Sequence, residues 1–220
     1  NDSSYTIKNI CLEFDMVSDS ELTRQVRQQY SNKMVILYDR ILRHRRIPKN
    51  KADPLWNINI NVPARSMKGI LMLFEDPNRE STEHYYNPKI EKVEMTIEGV
   101  PNQLYSQGMR AHQQWDEINK YFALTSKRNK ETDQVARDLF FTDTPIGKYL
   151  TTNYALWLDL RTTDDNTLHG SGREVQNASE GLTIQITKKA EADGNLNIYL
   201  YIIQDAQINF EDGRFKDVRY

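Results

Sequence analysis

Residues 195–215 read NLNIYLYIIQDAQINFEDGRF, and this stretch decides the fold. Leu196, Ile198, Leu200 and Ile202 take alternate positions, and Ala206, Ile208 and Phe210 continue in the same phase. A period of two with one polar side marks a strand half-buried in an antiparallel sheet. Asp212-Gly213 then suits a two-residue hairpin turn into a short final strand near 214–220.

The same alternation recurs along the chain. It places Ile10, Leu12, Phe14 and Met16 on one side, then Trp56, Ile58, Ile60 and Val62, then Val93, Met95 and Ile97. Leu156, Leu158 and Leu160 follow, and Leu182, Ile184 and Ile186 after them. MVILYDRIL (34–42) and GILMLFED (69–76) are continuously apolar, as strands covered on both faces are. The expected strands are 5–17, 34–46, 55–62, 67–76, 90–98, 154–161, 181–189 and 195–210. No internal repeat is visible, which argues against propellers and solenoids.

Helices are few. Ser18 and Glu21 read as a capping box before Leu22, Val26 and Tyr30 on one face. A second helix near 110–124 aligns Trp115, Ile118 and Phe122, and a third near 132–141 runs through Val135 and Leu139 and stops before Pro145. Residues 99–153 are therefore a long helix-containing insertion between two strands. The expected fold is all-β: an antiparallel eight-stranded jelly-roll sandwich in one domain over 1–220. An immunoglobulin-like sandwich is the rival, but it is normally smaller and needs no such insertion.

Composition narrows the function. Lys and Arg (29) nearly balance Asp and Glu (31), giving a net charge of -2, so any basic patch is local. Cys11 is the single cysteine, which excludes an internal disulfide and a cysteine-based zinc site; it reads as a small buried hydrophobe and fits a reducing compartment. No run reaches 18 apolar residues and no signal-peptide pattern opens the chain, so no membrane span is expected. A chain opening on Asn1 is expected to be processed or cut from a longer one.

The chemistry-bearing residues form no catalytic set. His44, His84, His112 and His169 lie far apart, without the His-x-His pair of a cupin metal site. HGSGR (169–173) lacks both the nucleophile-elbow and phosphate-loop contexts and reads as a flexible surface loop. Thr162-Thr163-Asp164-Asp165 with Asp159 gathers carboxylates without EF-hand spacing. No catalytic residue, metal, cofactor or small-molecule substrate is expected, and the chain reads as a non-enzyme.

Two surface features remain. In RILRHRRIPKNK (40–51), six of twelve residues are Arg or Lys, with His44 a seventh polar cation on protonation. Strand alternation puts Arg43 and Arg45 on one face and His44 and Arg46 on the other. Arg40, Arg43, Arg45 and Arg46 are candidates for nucleic-acid contact, or for covering Glu13, Asp15, Glu75 or a neighbouring subunit. The stretch has no interleaved aromatic platform of the kind that binds single strands. Tyr85-Tyr86 is a candidate partner contact. With the sequons Asn1-Asp2-Ser3 and Asn177-Ala178-Ser179, it motivates an alternative function, a non-catalytic jelly-roll module binding a glycan, receptor or protein partner.

Several phrases together resemble a known family: ILYDRILRHRRI (36–47), LFEDPNRE (73–80), YYNPKIEKVEMTIEGVPNQLYSQGMR (85–110), YALWLDLRTTDDNTLHGSGR (154–173), ASEGLTIQITKK (178–189) and the closing 195–215. From about Tyr5 to Tyr220 the chain is similar to the C-terminal jelly roll of Polinton (Maverick)-type major capsid proteins. The resemblance implies a double jelly roll, a trimeric capsomer of copies of itself beside neighbouring capsid proteins, and a place in the virion capsid assembled inside the host cell. With 220 residues the chain departs from that pattern by holding one roll, as a fragment or a single-roll penton-like relative would. The resemblance also implies that the 99–153 insertion projects outward, that Trp115 and Phe122 anchor subunit contacts, and that the basic stretch faces a neighbour or, weakly, packaged DNA.

Overall fold

Apolar residues at every second position make a strand stable only where one of its faces is covered, so the pairing of strands decides the core. The structure is a computed structural model that describes residues 19–29, 33–78, 85–102, 105, 107–126, 146–151, 153–163, 169–175, 181–211 and 214–220. The expected strand at 5–17 with Cys11, the expected helix at 132–141, the Asp212-Gly213 turn and both sequons lie outside those residues. The packing divides the chain into two units, Asn1–Ile36 with Ile208–Val218, and Leu37–Gln207 with Arg219–Tyr220.

Twelve strands are described: β1 Lys33–Arg43, β2 Ile47–Asn50, β3 Leu55–Ile60, β4 Ala64–Glu75, β5 Ile90–Ile97, β6 Val100–Pro101, β7 Met109–Arg110, β8 Ala155–Asp159, β9 Arg173–Val175, β10 Leu182–Lys188, β11 Asn195–Glu211 and β12 Arg214–Arg219. The helices are α1 Ser20–Gln29, α2 Ala111–Ser126 and α3 Ile146–Thr151. One sheet runs β1-β11-β4-β8, with β2 and β12 also on β11 and β9 on β4. The other runs β3-β10-β5-β6, with β7 also on β5.

The chain changes sheet from β3 to β4, again to β5, again to β8, and from β9 through β10 to β11. Such repeated crossing between antiparallel sheets is the winding of a jelly roll, the fold read from the sequence. The four strands absent from that reading, β2, β6, β7 and β9, have two to four residues each. They are too short to show a period.

Register lines up the core. Ile184 faces Ile58 and Met95, and Ile186 faces Trp56 and Val93. In the other sheet, Leu200 faces Met72, which faces Leu156, and Ile202 faces Ile70, which faces Leu158. All twelve of these residues are at most 2% exposed. Sheets packed about 10 Å apart bring such rows together. Phe74 bridges Trp56 and Tyr154, with ring centroids 6.4 and 5.7 Å away.

Continuous apolarity misleads once. β4 is buried along most of its length, as expected of GILMLFED. In β1, however, Leu37 is 53% and Ile41 64% exposed. Among the described strands β1 ends the order, and apolarity alone does not separate a central strand from an edge one. The described parts of 99–153 also return to the core instead of projecting. β6 and β7 pair with β5, and Tyr105, Met109, Ile118 and Tyr149 are buried. α2 packs against β8, with Ile118 and Gln114 buried and Trp115 partly so.

In the smaller unit, α1 is capped by Asp19, whose Oδ1 accepts from the Glu21 and Leu22 amides at 2.8 and 3.0 Å. This is the residue after the Ser18 nominated from sequence. In the same unit Phe210 and Phe215 meet edge to face at 6.3 Å, and Asn209 donates to Asp217.

Candidate interaction surfaces

The basic stretch does not run on as one strand. β1 ends at Arg43, residues 44–46 are irregular, and β2 begins at Ile47. The expected division of Arg43 with Arg45 and His44 with Arg46 is therefore lost, because alternation needs extended pairing. Instead the four arginines separate into two pairs. The Arg40 guanidinium lies 3.9 Å from the Tyr220 ring centroid, and that of Arg43 lies 5.2 Å from the Tyr199 ring. These are cation–π distances, and the rings come from sequence-distant positions. The aromatic companions missing from the local sequence are supplied by the fold.

Arg45 and Arg46 are both exposed and line one groove of about 350 Å3 with His44, Pro48, Asn57 and Asn59. Its floor is ordered by hydrogen bonds. Lys49 Nζ donates to the Asn57 carbonyl at 2.9 Å, and Thr183 Oγ1 donates to Asn59 Oδ1 at 3.2 Å. The His44 amide donates to Leu200 O at 2.9 Å, and its ring Nδ1 sits 3.2 Å from Arg45 O as a donor. Glu75 stands near Arg46. Hydrogen bonds from Tyr199 (2.7 Å) and Asn197 (3.0 Å) hold its carboxyl below the usual range despite some burial, and the Arg46 charge adds to them.

The tyrosine pair divides between two roles. Tyr86 is half-buried: its hydroxyl donates to Glu191 Oε2 at 2.5 Å, and Lys51 Nζ lies 4.6 Å from its ring centroid. Lys51 pairs with Asp76, and Lys89 with Glu191 at 2.7 Å. Burial pushes the Glu191 carboxyl up, but the bonds from Lys89 and Tyr86 outweigh it and hold it below its ordinary value. Tyr85 is 39% exposed and bridges to Asn153. Trp115 is partly buried against the core, beside the fully buried Ile118 on the same helix. Phe122 belongs to α2, but its side chain lies outside the described residues.

A polar centre escaped the sequence reading. Lys68 Nζ lies 2.7 Å from Asp39 Oδ1 and 2.8 Å from Asp205 Oδ1, with the Lys68 and Asp205 side chains 4% and 2% exposed. Ser66 donates to Asp205 Oδ2, which also accepts from the Gly170 amide at 2.9 Å. The Gly172 amide donates to Ser66 Oγ at 2.9 Å, and His169 Nδ1 approaches Asp205 Oδ1 at 3.4 Å. HGSGR is thus tied to the sheet and is not a flexible surface loop: Ser171 is 2% exposed. A signal was present, because Gln204-Asp205 interrupts the apolar phase of the longest strand.

That centre is built for structure. Burial pulls the Lys68 amine down, but its bonds and charge pairing with Asp205 and Asp39 hold it above its ordinary value, so it stays a cation and not a base. Ser66 spends its proton on a carboxylate. Among the described residues, no group of three or more His, Cys, Asp or Glu is placed to hold a metal ion. No helix is long and apolar enough to cross a membrane among those residues.

No protein-family model matches the sequence, and no curated protein matches it. Solved structures do share the fold. PBCV-1 VP54, fitted into a reconstruction of the virophage Sputnik, superposes on 92% of this chain at 9% identity, with a TM-score of 0.52. The Faustovirus major capsid protein superposes on 85% at 11% identity, with a TM-score of 0.51. The chain spans 54% of the first protein and 36% of the second.

Proposed function

We propose that this chain is a structural capsid protein, one jelly roll of a capsomer-forming major capsid protein of a Polinton-like element or related DNA virus. The observation that carries the reading is the shared jelly-roll fold, which extends over 92% of the chain against PBCV-1 VP54 and 85% against the Faustovirus major capsid protein. The resemblance of 195–215 and its companion phrases to capsid proteins supports it independently. The described polar clusters are ion-paired into the fold, which suits a non-enzymatic role.

On this reading the chain acts by self-assembly in the virion capsid, as part of a trimer beside neighbouring capsid proteins. Subunit contacts fall on the exposed Tyr85 and the partly exposed Trp115, with Phe122 as the further anchor that the resemblance implies, since large side chains contribute most to association. Tyr86 serves that surface indirectly, holding the loop through Glu191. The test is the solution mass of the purified chain by light scattering across a concentration series. A species of three times 25.8 kDa is expected, joined at higher concentration by larger regular assemblies visible by electron microscopy. A monomer at all concentrations, alone and mixed with a second jelly roll, overturns the reading.

A further inference from the structure

We infer that the groove formed by His44, Arg45, Arg46, Asn57 and Asn59 is a phosphate-binding site, and that its ligand is the backbone of a nucleic acid. This goes beyond the capsid reading, since a shell protein need not touch the genome. The groove joins two guanidinium groups to side-chain amides in a volume of about 350 Å3, larger than one phosphate group and its water need. Guanidinium forks match phosphate oxygens bidentately, and amides complete such a shell.

Pairing among the described residues does not explain these arginines. Among the described residues no carboxylate partners Arg45, and Arg46 feels only the Glu75 carboxyl, which Tyr199 and Asn197 already hold. Thr183 occupies the Asn59 oxygen, which leaves its Nδ2 as the donor for the groove. The His44 amide bond to Leu200 and Lys49 on Asn57 fix the backbone that carries these donors before any ligand arrives.

The surroundings select a linear polyanion. Arg40 on Tyr220 and Arg43 on Tyr199 precede the groove in sequence, and Lys49 follows it. With residues 44–46 irregular, the stretch from Arg40 to Lys49 spans less than the about 33 Å of ten extended residues. It therefore matches fewer than about ten phosphates along one nucleic-acid strand. The half-exposed Tyr220 ring adds a flat face of the kind on which bases stack. A lipid surface is the lesser fit, because the exposed polar lining is Arg45, Arg46, Asn57 and Asn59, against only Pro48 and part of Ile47 as apolar surface.

The experiment is fluorescence anisotropy of labelled 20-nucleotide single strands and duplexes with the full 220-residue chain, from 50 to 200 mM NaCl. Saturable binding that weakens with salt is expected. Arg45→Ala with Arg46→Ala should weaken it about tenfold or more at 50 mM and reduce the log–log salt slope by roughly 1.8 on duplex. Arg40→Ala with Arg43→Ala should have a smaller effect, and Asn59→Ala an intermediate one. Unchanged melting temperatures certify the fold, and Arg45→Glu serves as a second, charge-reversing variant. No binding at 50 mM salt overturns the proposal, as does binding indifferent to both the Arg45/Arg46 pair and Arg45→Glu. Binding confined to vesicles of phosphatidylserine and phosphatidylcholine overturns it in favour of a membrane contact.

Discussion

Lys68 Nζ lies 2.8 Å from Asp205 Oδ1, with both side chains almost fully buried. Removing Asp205 leaves the buried Lys68 charge with the half-exposed Asp39 as its ion-pair partner. Asp205→Leu should therefore cost about 3–5 kcal/mol in urea unfolding. Lys68→Met with Asp205→Leu should cost less than Asp205→Leu alone, because the charge that loses its partner, Asp39, is half-exposed to water. A double variant as damaged as the single would show that Asp205 matters through the Gly170 amide and not through the lysine.

The same lysine sets an alkaline limit. Its folded pKa is held above the ordinary 10.5, so its stabilisation is complete below 10.5 and is lost as pH rises through the higher folded value. The melting temperature of the wild type should fall more steeply above pH 10.5 than that of the Lys68→Met, Asp205→Leu variant. Differential scanning calorimetry from pH 9 to 11.5 reads the difference.

Glu191 sets an acid counterpart. Its folded pKa is depressed below 4.5, so its contribution is complete above that pH and is lost as pH falls through the folded value. Tyr86→Phe removes one bond to the carboxylate and should cost about 1.5 kcal/mol at pH 7. The deficit should shrink below pH 4, as Glu191 protonates in both proteins. Thermal melts at pH 7 and pH 3.5 compare the two.

A close approach makes Gly69 hard to replace. A Cβ there would stand 2.3 Å from the Trp157 ring and 2.8 Å from the Leu158 carbonyl. Trp157 is fully buried and cannot swing away. Gly69→Ala should destabilise by about 1–3 kcal/mol, read as a lower urea midpoint with an unchanged slope.

Association and stability should separate at Tyr85. This residue is exposed, so Tyr85→Ala should leave the melting temperature of the isolated chain nearly unchanged, as surface substitutions do within about 0.5 kcal/mol. If it is a subunit anchor, trimer dissociation should become easier by about 2 kcal/mol in sedimentation equilibrium. Equal trimer affinity with and without the tyrosine would remove it from the contact surface.

Alternation was enough to read the strands. Trp56, Ile58 and Ile60, or Leu182, Ile184 and Ile186, can bury one face only by lying extended, so period and register agree without further information. The same logic stops at Ile203 and Gln204, where the β11–β4 register shifts. There Lys68 of β4 is the extra residue, while Gln204 and Ala206 keep the buried phase of β11; farther along, Asn209 and not Phe210 is buried, which alternation alone does not foretell.

The local sequence thus determined which segments extend, that they pair antiparallel, and that the chain winds as a jelly roll. It also showed that basic charge collects at 40–51. Only the tertiary structure decided what that charge does. Arg40 meets Tyr220 and Arg43 meets Tyr199, while Arg45 and Arg46 turn into a groove with Asn57 and Asn59. Likewise it alone brought Lys68 to Asp205. Period is a property of neighbours in the chain, whereas a charge is given its partners by strands that meet only after folding.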